Sequence, residues 1–278
     1  MGINGAGKTT TVKMLAGLIT PDRGHVWLAG RDPHRDPQAF RVLGAMLEGS
    51  RHLYGRLTAL ENLEYFGVLR GLSPRHARQR GQHWLEQFEL THKAGTTVQT
   101  LSRGMQQKVA IAVALVHDPA VLVLDEPTLG LDVPTTALIQ TTLRQWVSPG
   151  KAMVLTTHQL DVAEAVADHV AVIHQGKLLT QQPLSAFIRP PTESTYRIRV
   201  EGLISPDQRT RIETLGGQVI GDPATPEILW TGDPDQLYEV LAQLRPLPLI
   251  SLTQEQRGLR EVFLKLLAAA TLPGDGLS

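Results

Sequence analysis

The chain has 278 residues, with 27 basic and 27 acidic side chains, 42% hydrophobic residues and no cysteine. That length supports one large or two modest domains with real cores, and the balanced charge supplies no overall field for nucleic acid or an anionic surface. Disulfides and thiolate metal sites are excluded, no apolar run reaches the ~18 residues of a membrane-spanning helix, and no signal-peptide pattern is present. A soluble globular protein of a reducing, cytoplasmic compartment is expected.

In chain order, the first feature is a glycine-rich loop at residues 2–10, followed by a predicted helix over 8–18 that the TPDRG turn at 20–24 stops. Strand-like runs lie at 25–28 and 44–48. A helical block follows. Apolar residues recur at helical spacing over 58–72, and Ser73-Pro74 reads as the N-cap and first-turn proline of a second helix. That helix carries Trp84, Leu85, Phe88 and Leu90 on its apolar face, which reads as ordinary core. A third helix is predicted from Ser102 to Asp118, and the apolar strand AVLVLDE comes after it. A helix near 135–147, a strand at 152–156, a helix at 159–167 and a two-stranded piece, HVAVIHQGKLLT, complete this region. Alternating helices and unbroken apolar strands imply a mostly parallel sheet covered on both faces.

The texture changes at Arg189-Pro190-Pro191, where a linker is expected. Beyond it the predicted order is strand 196–200, helix 206–215, strands near 218–221 and 227–231, helix 234–244 and strand 247–252. This βαββαβ order is the ferredoxin-like arrangement. A last helix, 257–269, is expected to pack back on the protein rather than on a membrane surface.

Four stretches carry chemistry. GINGAGKTT spells G-x-x-x-x-G-K-T: the backbone of Gly2, Asn4, Gly5, Ala6, Gly7 and Thr10 can turn N–H groups toward phosphate oxygens at a helix N-terminus. Lys8 would reach the β- and γ-phosphates and the Thr9 hydroxyl would ligate Mg²⁺. In VLVLDEP, an apolar strand ending in two acids places Asp125 beside that metal and Glu126 near the γ-phosphate, where a carboxylate polarises water. Taken alone, the pair could simply cap the next turn. In LSRGMQQK, Ser102 and Gly104 open a helix, as an anion site or as a plain N-cap. His158 follows Thr156-Thr157 at a strand's C-terminal end, the edge where parallel sheets bind ligands.

The phosphate loop, LSRGM, VLVLDEP, LGLD and TTH, in that order, resemble the ATP-binding cassette (ABC) ATPases, the motor subunits of ABC transporters, over residues 2 to about 188. The resemblance implies an α/β P-loop NTPase (RecA-like) domain over 1–189, with a helical subdomain at about 58–118 that docks a membrane permease, and an accessory α+β domain over 190–278. It further implies that Leu101–Met105, with Ser102 and Gly104, contact ATP bound to a second copy, and that Asp132 links the two sites. Glu126 is the implied catalytic glutamate and His158 the implied sensor of the γ-phosphate. The run GAMLEGSRHLYGRLTALENLEYF and the ending SLTQEQRGLREVFLKLL look most like the drug- and polysaccharide-export branch.

Three departures stand out. Glu48 occupies the place of the metal-assisting glutamine, where a carboxylate can still accept a water-mediated Mg²⁺ contact. Arg103 replaces a glycine and Met105 a glutamine; a cation at 103 is expected to help near a triphosphate. The family also carries a strand leading into the phosphate loop and an aromatic that stacks on adenine, both upstream of Gly2. A misassigned start at Met1, a true truncation or a strand supplied by a partner are the expected explanations. Stacking is worth ~1–3 kcal/mol, so the chain as it stands is expected to bind ATP weakly. The expected function is the ATP-hydrolysing subunit of an ABC exporter, peripheral to the inner face of the membrane through its permease. The alternatives are a soluble cassette acting on ribosomes or nucleic acid, and an inactive remnant.

Overall fold

The computed structural model describes residues 1–47, 53–187, 194–222, 225–255 and 259–271. Glu48, the expected linker at Arg189-Pro190-Pro191 and the expected start of the last helix at Arg257 lie outside the described residues. Two compact units divide the chain, Met1–Gln182 and Pro183–Ser278.

In the first unit, helix α1 (Lys8–Leu15) leaves the glycine-rich loop, and strand β1 (Leu43–Met46) follows. The strand expected at 25–28 does not form. Leu28 makes only an isolated bridge to Arg31 across Ala29-Gly30, both at positive φ, so this segment closes on itself in a tight turn. Helices α2 (Ala59–Leu69), α3 (Pro74–Gln87) and α4 (Arg103–Leu115) form the helical block. Their starts are set by local chemistry: Thr58 and Glu61 exchange side-chain-to-backbone bonds in a capping box, Ser73 caps α3 ahead of Pro74, and Ser102 caps α4.

Strand β2 (Val121–Asp125) pairs in parallel with β1 on one side and with β3 (Ala152–Thr156) on the other. Its unbroken apolar run has a simple cause. Leu122 and Leu124 point into a core shared with the helical block and with α5 (Val133–Trp146), while Val123 points to the opposite face, in a cluster with Val12 of α1 and its C-cap Ala16. Both faces are covered, so alternation with polar residues is absent. Helix α6 (Leu160–Val166) follows β3, and β4 (His169–His174) pairs with β5 (Lys177–Pro183) as a separate two-stranded sheet.

The second unit holds the short α7 (Leu184–Phe187), β6 (Ser194–Val200), α8 (Pro206–Thr214), β7 (Gly217–Asp222), β8 (Thr225–Gly232), α9 (Leu237–Gln243), β9 (Leu249–Glu255) and α10 (Leu259–Thr271). Its antiparallel sheet runs β7-β8-β6-β9, the ferredoxin-like order that the sequence pattern implies. Tyr196, Ile198, Ile228 and Trp230 of the sheet join Ile212 of α8 and Val240 of α9 in a core of their own. The Trp230 indole N–H, which burial would otherwise orphan, donates to the Leu215 carbonyl at 2.7 Å.

At the start of β1, His117 Nε2 lies 3.1 Å from the Leu43 carbonyl, while Nδ1 is buried with no partner among the described residues. Burial first, then the nearby Arg70 cation, lower the His117 pKa to about 4, against smaller opposing pulls from the Leu43 bond and Asp118 and with Arg80 adding least. The unfolded chain therefore binds this proton at a higher pH than the folded one. Stability of the first unit should fall as pH drops from about 6.5 to 4, by an amount on the order of 3 kcal/mol from this group. Urea unfolding across that range should show the loss, and His117→Gln should flatten it.

Candidate active site

The glycine-rich loop is shaped by two close constraints. Gly7 caps α1 at φ 102°, a conformation that a side chain would strain. A Cβ on Gly2 would stand 2.3 Å from the Ile173 carbonyl of β4, so only glycine lets the loop pass there. The turn between β4 and β5 supports the other side, where the Gly176 N–H donates to the Ala6 carbonyl at 2.9 Å. Lys8 is 8% exposed and its Nζ donates to the carbonyls of Gly2 at 2.8 Å and Ile3 at 3.2 Å.

The carboxylates arrive from the neighbouring strands. Register pairs Asp125, the last residue of β2, with Thr156, the last of β3. The Thr156 hydroxyl donates to Asp125 Oδ1 and accepts from the Glu126 N–H at 3.2 Å. Asp125 is 2% exposed, and its Oδ2 is buried with no partner among the described residues. Glu126 sits at φ 49°, in the left-handed region that a glutamate rarely adopts, and its N–H also donates to the Thr156 carbonyl at 3.1 Å. Its carboxylate is bracketed. Lys8 Nζ lies 3.9 Å from Oε1 and His158 Nδ1 lies 3.0 Å from Oε2.

These groups share one cavity of about 490 Å³, lined by Asn4, Gly5, Ala6, Gly7, Lys8, Thr9, Thr10, Asp125, Glu126, Leu129 and His158. The strand-end loops are tied together behind it by Thr128 Oγ1, which donates to Gln159 Oε1 at 2.8 Å. Leu101, Ser102, Gly104 and Asp132 do not line the cavity. Leu101 is buried in the main core, and Ser102 Oγ accepts from the Met105 N–H at 3.3 Å. Asp132 caps α5 by accepting from the Thr135 N–H at 2.9 Å, and these Thr135 contacts hold its carboxyl below the usual carboxylate range.

The family described as "ABC transporter" matches residues 1–129. The Nod factor export ATP-binding protein I of Burkholderia lata is 35% identical over 269 residues, covering 96% of this chain and 86% of the relative. The chain belongs to the ATP-binding cassette family. The ABC transporter ATP-binding protein NatA of Bacillus subtilis is 35% identical over 187 residues, covering 67% of this cassette protein and 76% of NatA. Among solved structures, a dimeric post-hydrolysis ATP-binding cassette bound to ADP and phosphate matches at 28% identity and a TM-score of 0.60, over 66% of this chain and 83% of that one. The cassette here is an ATPase of that family.

Sequence reading leaves several supporting residues of the cassette without a role. Thr156 is named in it only as a neighbour of His158, yet it holds both carboxylate residues. Gly176 carries no motif signal, since it acts through its backbone N–H, and Leu129 enters only as the first letter of LGLD although it lines the cavity.

Gly2→Ala should push the loop off β4 and weaken ATP binding by about tenfold or more. Gly95→Ala, whose added Cβ meets nothing within 4 Å, should leave affinity unchanged. Equilibrium titration with a fluorescent ATP analogue distinguishes the two.

Proposed function

We propose that this cassette is the ATP-hydrolysing subunit of an ABC exporter and that it drives a separate membrane permease as one of a pair of cassettes. One observation carries the reading: the Glu126 carboxylate faces the phosphate-loop cavity between Lys8 and His158. Export is supported by the Nod factor relative, which aligns over nearly the whole chain. Among the described residues no helix is long and apolar enough to cross a membrane, which is compatible with transport through a partner.

The residues fit Mg²⁺. Asp125 Oδ2 is a buried carboxylate oxygen with no partner among the described residues, and it lies in the same cavity wall as Thr9. Thr9 and Asp125 would hold the ion, leaving its other positions to phosphate oxygens and water, as Mg²⁺ commonly requires. When bound it would supply positive charge to the β- and γ-phosphate oxygens.

The chain's own groups then divide the work. Backbone N–H groups of the loop and the Lys8 ammonium, exchanging the Gly2 and Ile3 carbonyls for phosphate oxygens, hold the triphosphate. Glu126 accepts a hydrogen bond from water and aligns it on the γ-phosphorus. The water oxygen bonds to phosphorus as the bond to the β,γ-bridging oxygen breaks, giving ADP and phosphate, and the water's proton passes toward the Glu126 carboxylate. His158 orients that carboxylate through Nδ1 and steadies the γ-phosphate. Ser102, Gly104 and Asp132, which do not line this cavity, would serve the site of the second copy.

Glu126→Gln keeps the side chain's size and its hydrogen-bonding reach but removes the base. It should lower ATP turnover at least about a hundredfold while ATP-dependent dimerisation persists, read by phosphate release and by size-exclusion chromatography. Unchanged turnover would remove Glu126 from the proposed role.

A further inference from the structure

Arg103 stands where a cation facing a triphosphate is expected, yet its exposed guanidinium engages its own chain. Its Nη2 donates to the Leu129 carbonyl at 3.4 Å, and its Cζ lies 3.2 Å from where a Cβ on Gly130 would be. Gly130 leaves the space in which that planar group lies. One helical turn further along α4, Gln107 Nε2 donates to the Pro127 carbonyl at 2.9 Å and lies 3.6 Å from Met46 Sδ at the end of β1. Residues 103 and 107 are four apart and share a helix face. Their acceptors, Pro127 and Leu129, lie within the three residues that follow Glu126. Gly104, between the two donors, lies against the start of α5 and the residues before it, its Cβ position 3.6 Å from Thr135 and 3.9 Å from Leu131.

We propose that Arg103 and Gln107 are positioning residues: a two-point clamp by which helix α4 holds the backbone after Glu126, so that the placement of α4 sets the aim of the Glu126 carboxylate within the same chain. The need for a clamp follows from the geometry. Glu126 occupies a backbone conformation unfavourable to its side chain, which persists only where the surroundings over-determine it. Its N–H is fixed from β3 by Thr156, and the clamp fixes the chain leaving it. Arginine at the first position of a helix sits against the positive end of the dipole, so placing it there costs stability that the carbonyl contact partly offsets. The inference rests on the hydrolytic reading for its catalytic consequence and on geometry alone for the clamp.

Arg103→Met and Gln107→Met remove the donors and keep most of the side-chain bulk, and the first also removes a charge that opposes the dipole. In the full-length chain without nucleotide, hydrogen exchange should speed up severalfold at the Leu129 and Leu131 amides, which bond within this loop to Glu126 and Thr128. ATP turnover should fall about tenfold in each variant with KM for ATP within about twofold, and the double variant should be little worse than either single one. Unchanged exchange with an unchanged thermal midpoint would overturn the clamp. Faster exchange with unaltered kcat would overturn the positioning role. A raised, salt-sensitive KM in Arg103→Met would return Arg103 to the triphosphate and overturn it as well. Should the wild-type chain hydrolyse no ATP at all, the hydrolytic reading fails, and the exchange measurement still decides the clamp.

Discussion

The parallel pairing of β2 with β3 brings Asp125 level with Thr156, and one threonine hydroxyl then organises two acids of opposite character. By donating to Asp125 it satisfies one oxygen of a carboxylate that is almost wholly buried, and by accepting from the Glu126 N–H it secures the strained residue beside it. A buried carboxylate left unsatisfied is costly, and a left-handed glutamate is uncommon. Both sit at the strand ends, where a doubly covered parallel sheet presents its working edge. The glycine-rich loop, His158 and the loop through Leu129 are arranged around that fixed point.

Rigidity in this site comes mainly from backbone acceptors. The phosphate loop is buttressed by Gly176 and relieved of steric conflict with β4 at Gly2, while Lys8 is held by the loop's own carbonyls. The loop after Glu126 is gripped through the carbonyls of Pro127 and Leu129. Contacts of this kind depend on chain path rather than on the identity of the accepting residue, so they tolerate sequence drift on the acceptor side.

That same property decides what could be read from the sequence. The starts of α3 and α4 were legible because Ser73 and Ser102 are local capping signals, each satisfied within three residues, whereas the caps at Thr58 and Asp132 emerge only in the structure and the latter starts α5 at Val133 rather than near 135. The parallel sheet was legible because VLVLD is apolar on both faces, and the ferredoxin-like unit because its strand and helix order admits few other arrangements. The strand expected at 25–28 failed because strand propensity is realised only with a partner, and among the described residues Leu28 bridges only to Arg31. Residues 8, 125, 126 and 158 were visible as motif members, but the bracketing of Glu126 by Lys8 and His158 requires three elements to meet in space. Arg103 was visible only as a departure from a pattern, and its engagement with Leu129 could not be read from spacing.

The two separate cores bear on how the chain is inherited. Tyr196, Ile198, Ile212, Ile228 and Trp230 close a core without borrowing from the cluster that supports the nucleotide cavity. The similarity to NatA extends over 67% of the chain, and that to the Nod factor relative over 96%. A segment that can bury its own apolar surface can be added to or dropped from a motor gene without unfolding the motor. Replacement in the ferredoxin-like unit is therefore answerable to that unit's own core, whereas Thr156 and Asp125 bond side chain to side chain and so constrain each other's replacement.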